Sequence, residues 1–255
     1  MGFRKSLRRL KKRTSNALDA LRLDETSYRL DIREIAGFKV ALRQGTADES
    51  VVDESFDQDI FFSGVPEYLS REDDVVIDVG AHIGTFSLLA ARRSPRGTVH
   101  AIEASRESYN YLTVNAALNG LGNLKPHLLA LSNSQGTVTL HHDSGNWGHS
   151  IMKRLSAKGE QVKADTLGHF MEENGIERCS FVKFNCEGAE FPILMNAADD
   201  DLAKIDMMLI LYHEDLAEGF KADRLIDRLT SAGFATKVRK QEKLRGWIIA
   251  QRKAA

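Results

Sequence analysis

The stretch Val75-Val76-Ile77-Asp78-Val79-Gly80-Ala81-His82-Ile83-Gly84-Thr85-Phe86 reads as a β-branched strand, a glycine turn and the start of a helix. Gly80 and Gly84 let the backbone pass close to a ligand where a Cβ would collide. In an open α/β sheet, ligands bind beyond the carboxyl ends of the strands, which is where this turn falls. The spacing D-x-G-x-x-x-G puts Asp78 where a dinucleotide-binding turn carries its first glycine. An acid there suits an ammonium group and not a pyrophosphate. S-adenosylmethionine has the ammonium and carries no phosphate, so it is the cofactor this turn predicts.

The next strand, Thr98–Glu103, ends in an acid 25 residues after Asp78, placed to accept hydrogen bonds from both ribose hydroxyls of such a cofactor. The same reading assigns to the cofactor Gly80, Ala81, His82, Gly84, Thr85 and Phe86 from the turn, and Ala104 and Ser105 beside Glu103.

Outward from this unit, strands and helices alternate. Helical periodicity covers Gly84–Arg93 and Ser105–Asn119, then Leu167–Glu173, Glu190–Ala198 and Lys221–Ala232. Strand candidates are Leu124–Ala130, Thr137–His141, Gln161–Ala164, Ser180–Asn185, Asp206–Tyr212, Phe234–Arg239 and Arg245–Ala250. The alternation predicts parallel βαβ units. The last two strands are separated only by Lys240–Leu244, too short for a parallel crossover, so they form an antiparallel hairpin. The expected fold is α/β: a Rossmann-like, mostly parallel seven-stranded sheet with a terminal antiparallel hairpin and helices on both faces. The hairpin and the missing G-x-G-x-x-G weigh against a nicotinamide-dependent oxidoreductase, the main enzymatic alternative.

The pattern changes near residue 73. Residues 73–255 read as the Rossmann-like domain and 27–72 as a cap region, with short strands at Tyr28–Ile32 and Phe38–Leu42 and a helix over Asp57–Leu69. Residues 1–26 read as a basic amphipathic helix. Within 1–23, eight basic residues stand against Asp19 alone, a charge of +7 that leaves −8 on the remainder of a chain whose net charge is −1. Such a helix either packs on its own domain or makes peripheral contact with an anionic membrane. No apolar run is long enough to span a bilayer, and no secretory signal precedes the domain, which leads to the expectation of a cytoplasmic protein. No nucleic acid partner is expected, since basic residues are not interleaved with stacking aromatics. Cys179 and Cys186 match neither a zinc site nor a redox pair and read as buried hydrophobes.

Several segments together resemble the FkbM-family methyltransferases: Val76–Leu88, Ala130-Leu131-Ser132, Ser144-Gly145-Asn146-Trp147-Gly148, Asp165-Thr166-Leu167, and Lys183-Phe184-Asn185-Cys186-Glu187-Gly188-Ala189-Glu190. They cover residues 73 to about 215 in the family's order. The resemblance implies O-methylation of a hydroxyl on a sugar, glycolipid or natural product, and it adds Ala130, Leu131 and Asn185 to the cofactor site. Asn185 departs from the aspartate usual there, which counts against a divalent metal at this position, a cofactor the pattern leaves possible but does not support, and keeps open a catalytically silent module that binds cofactor or a partner protein. A sugar hydroxyl is a poor acid, so a base is expected near the ends of the fourth and fifth strands. His213 is the first candidate, Glu187 the second, with Asn185 beside them; the acceptor is a small molecule or glycan.

Overall fold

The computed structural model describes residues 30–142, 148–154 and 159–253. The basic helix expected over 1–26, and residues 143–147 and 155–156 of the loop around Asp143–Ser156, lie outside the described residues. The chain runs β1 (Leu30–Ile35), β2 (Phe38–Arg43), α1 (Asp48–Phe56), β3 (Val75–Val79), α2 (Thr85–Arg93), β4 (Thr98–Glu103), α3 (Arg106–Leu118), β5 (Leu124–Leu128), β6 (Ala130–Leu131), β7 (Gly136–His141), β8 (Gly159–Asp165), α4 (Leu167–Glu173), β9 (Phe181–Phe184), α5 (Glu190–Asn196), α6 (Asp199–Ala203), β10 (Met207–His213), α7 (Ala222–Ser231), β11 (Phe234–Glu242) and β12 (Arg245–Arg252).

The main sheet has seven strands in the order β11-β12-β10-β9-β3-β4-β5. β3, β4, β5, β9 and β10 pair in parallel, and β12 runs antiparallel to both β10 and β11. Both faces are buried, because successive side chains of a strand point to opposite sides. Ile77, Val182, Met208 and Ile248 join one core cluster with α4, α5 and α7, while their neighbours Val76, Phe181, Met207 and Ile249 join the other with α2 and α3. This is the sheet expected from the sequence. The doubly covered strands put the loops that follow them at one carboxyl edge, where a ligand site forms.

Two features differ from the expectation. Thr137–His141 and Gln161–Ala164 belong to a separate three-stranded sheet, ordered β6-β8-β7. The helix expected over Asp57–Leu69 lies earlier, as α1, and residues 57–69 form turns. Gly64 and Pro66 break helical continuation in the later stretch, while Asp48 and Glu49 complement the dipole in the first turn of α1.

The hairpin β1-β2 turns at Ala36 and Gly37, both at positive φ, and docks on α3 through two asparagines one turn apart. Asn115 accepts from Ala41 N–H at 2.6 Å and donates to its carbonyl at 3.0 Å; Asn119 does the same for Lys39 at 2.9 and 2.8 Å. The amides act as a substitute strand for the edge of β2 and fix this segment over the glycine turn. Among the described residues no helix is long and apolar enough to cross a membrane.

Candidate active site

At the carboxyl edge of β3, Gly80 and Ala81 donate their N–H groups to the carbonyl of Ile102 on β4, each at 3.0 Å. Gly80 sits at φ +76°, and a Cβ there would strike the Asn185 carbonyl, so a glycine is what lets the turn lie against the loop after β9. A cavity opens above this junction. The turn lines it with Gly80, Ala81, His82, Thr85 and Phe86; β4 with Glu103 and Ala104; β6 with Ala130 and Leu131; the loop after β9 with Asn185 and Glu187. These candidates from four chain segments therefore meet in one place.

Asp78, Gly84, Ser105 and His213 do not line it. Asp78 is fully buried: its carboxylate accepts from Ser87 Oγ at 2.5 Å and from Lys183 Nζ at 2.9 Å. Asp78 is therefore engaged in an internal ion pair with Lys183 and does not reach the cavity. Gly84 caps α2, and Ser105 caps α3 by accepting from Ser108 N–H at 3.4 Å. Asn185 Oδ1, by contrast, is buried and has no hydrogen-bond partner among the described residues. A buried orphan acceptor is costly unless a ligand satisfies it.

Glu103 is 8% exposed and accepts from the main-chain N–H groups of His82 at 2.7 Å and Ser105 at 2.8 Å. Burial raises its pKa, opposed by His82 and these two N–H groups. A carboxylate has about four lone-pair sites, so two remain for ribose hydroxyls. The backbone bond from His82 requires that residue at φ +54°. Its ring is held from the N-terminal segment: Nε2 lies 3.2 Å from Asp48 Oδ1, and Asp48 forms a two-pronged ion pair with the buried Arg43.

Glu187 is also left-handed, at φ +52°, followed by Gly188 at +99°. A side chain held in this sparsely populated region marks a position where surrounding structure imposes the geometry. Ser150 Oγ donates to the Glu187 carbonyl at 2.7 Å, and the backbone of Gly148 lies directly on the Glu187 carboxyl group. Burial raises the Glu187 pKa, and His213 works against that. His213 stands behind it, 1% exposed, with Nε2 at 3.6 Å from Glu187 Oε2 and Nδ1 at 3.0 Å from Glu190 Oε1. Burial alone would lower the His213 pKa, but the bond from Glu190 and the charges of Glu190 and Glu187 outweigh it and raise the value.

Sequence reasoning missed Lys183 and Cys186, which line the cavity, and Glu190, which holds His213. It also missed Val51 and Phe61, which line it from the segment before β3. The signal for Lys183 was its place in the Lys183–Glu190 motif, four residues before Glu187; nothing local marks Val51 or Phe61. Of the metal option, among the described residues the one cluster of three close ligand groups is Asp165, His169 and Glu173, on β8 and α4, and it contains none of the candidate catalytic residues.

The model for the methyltransferase FkbM domain matches residues 78–235. The hexuronic acid methyltransferase AglP of Haloferax volcanii is 23% identical over 87% of this chain and 88% of its own length. The AMB antimetabolite synthetase AmbE of Pseudomonas aeruginosa is 26% identical over 88% of this chain, which spans only 12% of that protein. A solved S-adenosylmethionine-dependent methyltransferase from Aquifex aeolicus superposes with a TM-score of 0.47 at 16% identity, covering 79% of this chain and 95% of that one. With more than half its length matched, and with the glycine turn, Glu103 and the Lys183–Glu190 loop converging on one cavity, the chain belongs to the FkbM family of S-adenosylmethionine-dependent methyltransferases.

Proposed function

We propose that this chain methylates a hydroxyl of a small-molecule or glycan acceptor, with Glu187 receiving the hydroxyl proton. The observation that carries the reading is the cavity itself, which Glu103, Asn185 and Glu187 line together. When bound, S-adenosylmethionine supplies an electrophilic methyl group. Glu103 holds the ribose hydroxyls, and the orphan Oδ1 of Asn185 takes the ammonium contact that Asp78 is too engaged to make. Val51 and Phe61 exclude water from the turn side; Phe61 is fixed edge-on to Phe86 and Trp247, with centroids at 5.2 and 6.2 Å.

Glu187 is preferred to His213 as the base because it lines the cavity and His213 does not. A carboxyl group whose pKa burial has raised is a better proton acceptor than a free one. A sugar acceptor is favoured by a relative that spans most of both chains and by its name acts on a hexuronic acid. The neutral Asn185 supports a second reading, a cofactor-binding module that transfers nothing.

The test is release of S-adenosylhomocysteine when the protein is incubated with S-adenosylmethionine and a panel of uronic acids, neutral sugars and hydroxylated natural products. Glu187→Gln should reduce turnover by roughly 10²–10⁴-fold, the contribution of a general base. Cofactor binding with no product on any acceptor favours the silent module.

A further inference from the structure

Glu190, the first residue of α5, is fully buried and lies outside the active-site cavity, and its two carboxylate oxygens bond respectively to the end of β10 and to the loop that carries the base. Oε1 accepts from the main-chain N–H of His213 at 2.7 Å and faces its Nδ1 at 3.0 Å. Oε2 accepts from Gly188 N–H at 3.1 Å and from the Cys186 thiol at 3.4 Å. One side chain thereby ties the end of β10 to the turn that points Glu187 into the cavity.

The consequence for His213 follows from its two ring nitrogens. At 3.0 Å from a carboxylate oxygen, Nδ1 must carry a hydrogen. A neutral ring would then turn the bare lone pair of Nε2 toward Glu187 Oε2 at 3.6 Å, anion against lone pair. A second ring proton converts that repulsion into attraction. We propose that Glu190 is a positioning residue: by fixing His213 Nδ1–H it makes Nε2 present an N–H to Glu187, which keeps Glu187 ionised and aimed at the acceptor hydroxyl.

The inference rests on the methyltransferase reading. In the transfer, the acceptor O–H bond breaks and its proton bonds to a Glu187 carboxylate oxygen. The electron pair stays on the oxygen and would bond the methyl carbon as the carbon–sulfur bond breaks, that bond's pair remaining on the sulfur of the departing S-adenosylhomocysteine; His213 and Glu190 end as they began. The charged and titratable groups around the ring come from several elements: Glu187 and Cys186 from the loop after β9, Glu190 from α5, Asp215 after β10, and Arg245 of β12. Arg245 opposes protonation of His213, and it is itself ion-paired with Asp215 at 2.8 Å. The raised pKa of His213 agrees with the arrangement.

The test needs no acceptor. Nuclear magnetic resonance titration of the full chain, labelled in histidine and glutamate side chains and assigned with His213→Gln and Glu187→Gln, reads both groups directly. In Glu190→Gln, His213 should lose its second proton at lower pH than in the wild type. The sign of the accompanying change at Glu187 is decisive. If Glu190 acts through the imidazolium, Glu187 titrates at higher pH in Glu190→Gln, because its cationic neighbour has gone. If Glu190 is merely a nearby negative charge, its removal moves Glu187 to lower pH, and the proposal is overturned. Glu190→Asp, which keeps the charge, should move both groups back toward their wild-type values. Should Glu190→Gln not fold, the wild type decides: both ring nitrogens of His213 must be protonated at pH 7, and a neutral ring overturns the proposal. S-adenosylmethionine titrated into the same samples tests the underlying reading separately, since that reading fails on absent binding whatever His213 does.

Discussion

Asp78 and Lys183 stand opposite each other on the adjacent parallel strands β3 and β9, and Lys183 Nζ donates to Asp78 Oδ1 and to the Gly80 carbonyl, both at 2.9 Å. Two residues 105 positions apart therefore form the floor on which the glycine turn rests. Removing either partner leaves a buried charge uncompensated, which costs about 3–5 kcal/mol. Lys183→Met and Asp78→Asn should each lower stability by that order in urea denaturation. The double variant should lose clearly less than the two together, because it leaves no lone charge. Additive losses would show that the pair is not coupled.

Gly148 predicts an effect confined to the base. A Cβ at this position would collide with the Glu187 carboxyl group, so Gly148→Ala must push that side chain out of its place. Turnover with a confirmed acceptor should fall by roughly tenfold or more, within the span a misplaced general base allows. Affinity for S-adenosylmethionine should be retained, since Gly148 is on the Glu187 side and Glu103 is untouched. A loss of cofactor affinity equal to the loss of turnover would contradict this separation.

Parts of the fold and of the cavity differ in how much of them could be read from the sequence. The glycine turn, Glu103 and the terminal hairpin are local patterns, and the structure places all three as expected. The ion pair of Asp78 with Lys183 was not legible, because a buried pair across strands depends on register, which short-range spacing does not encode. Glu190 shows the same limit: its motif was legible, but its carboxylate turns toward His213, 23 residues away. The second sheet was missed because β7 and β8 alternate like any half-buried strand; only pairing distinguishes them. Asp57–Leu69 was misread because its apolar residues outweighed Gly64 and Pro66 in the pattern.

A pH dependence of stability follows from a histidine pair at the β4–β5 ladder. His100 Nδ1 and His127 Nε2 lie 3.1 Å apart, both rings edge-on to Phe170. Burial, followed by the charges of His127 and Lys125, holds His100 down to about 3. Burial and Lys125 hold His127 down to about 4. Both folded values lie below the ordinary histidine value, so below about pH 6.5 the unfolded chain binds more protons than the folded one. Stability should therefore fall as pH drops from about 6.5 toward 4, by at most about 1.4 kcal/mol per pH unit for each histidine. Urea denaturation across that range checks it: the slope should flatten in a His100→Asn/His127→Asn variant, and an unchanged slope would assign the effect to other groups.

The central claim is that S-adenosylmethionine binds between the glycine turn and Glu103, and calorimetric titration of the cofactor into the wild type and Glu103→Ala tests it most directly. The wild type should bind, and Glu103→Ala should bind more weakly by about 1.5–3 kcal/mol, the range for hydrogen bonds to a charged group. No binding to the wild type, or equal affinity in the variant, would contradict the account.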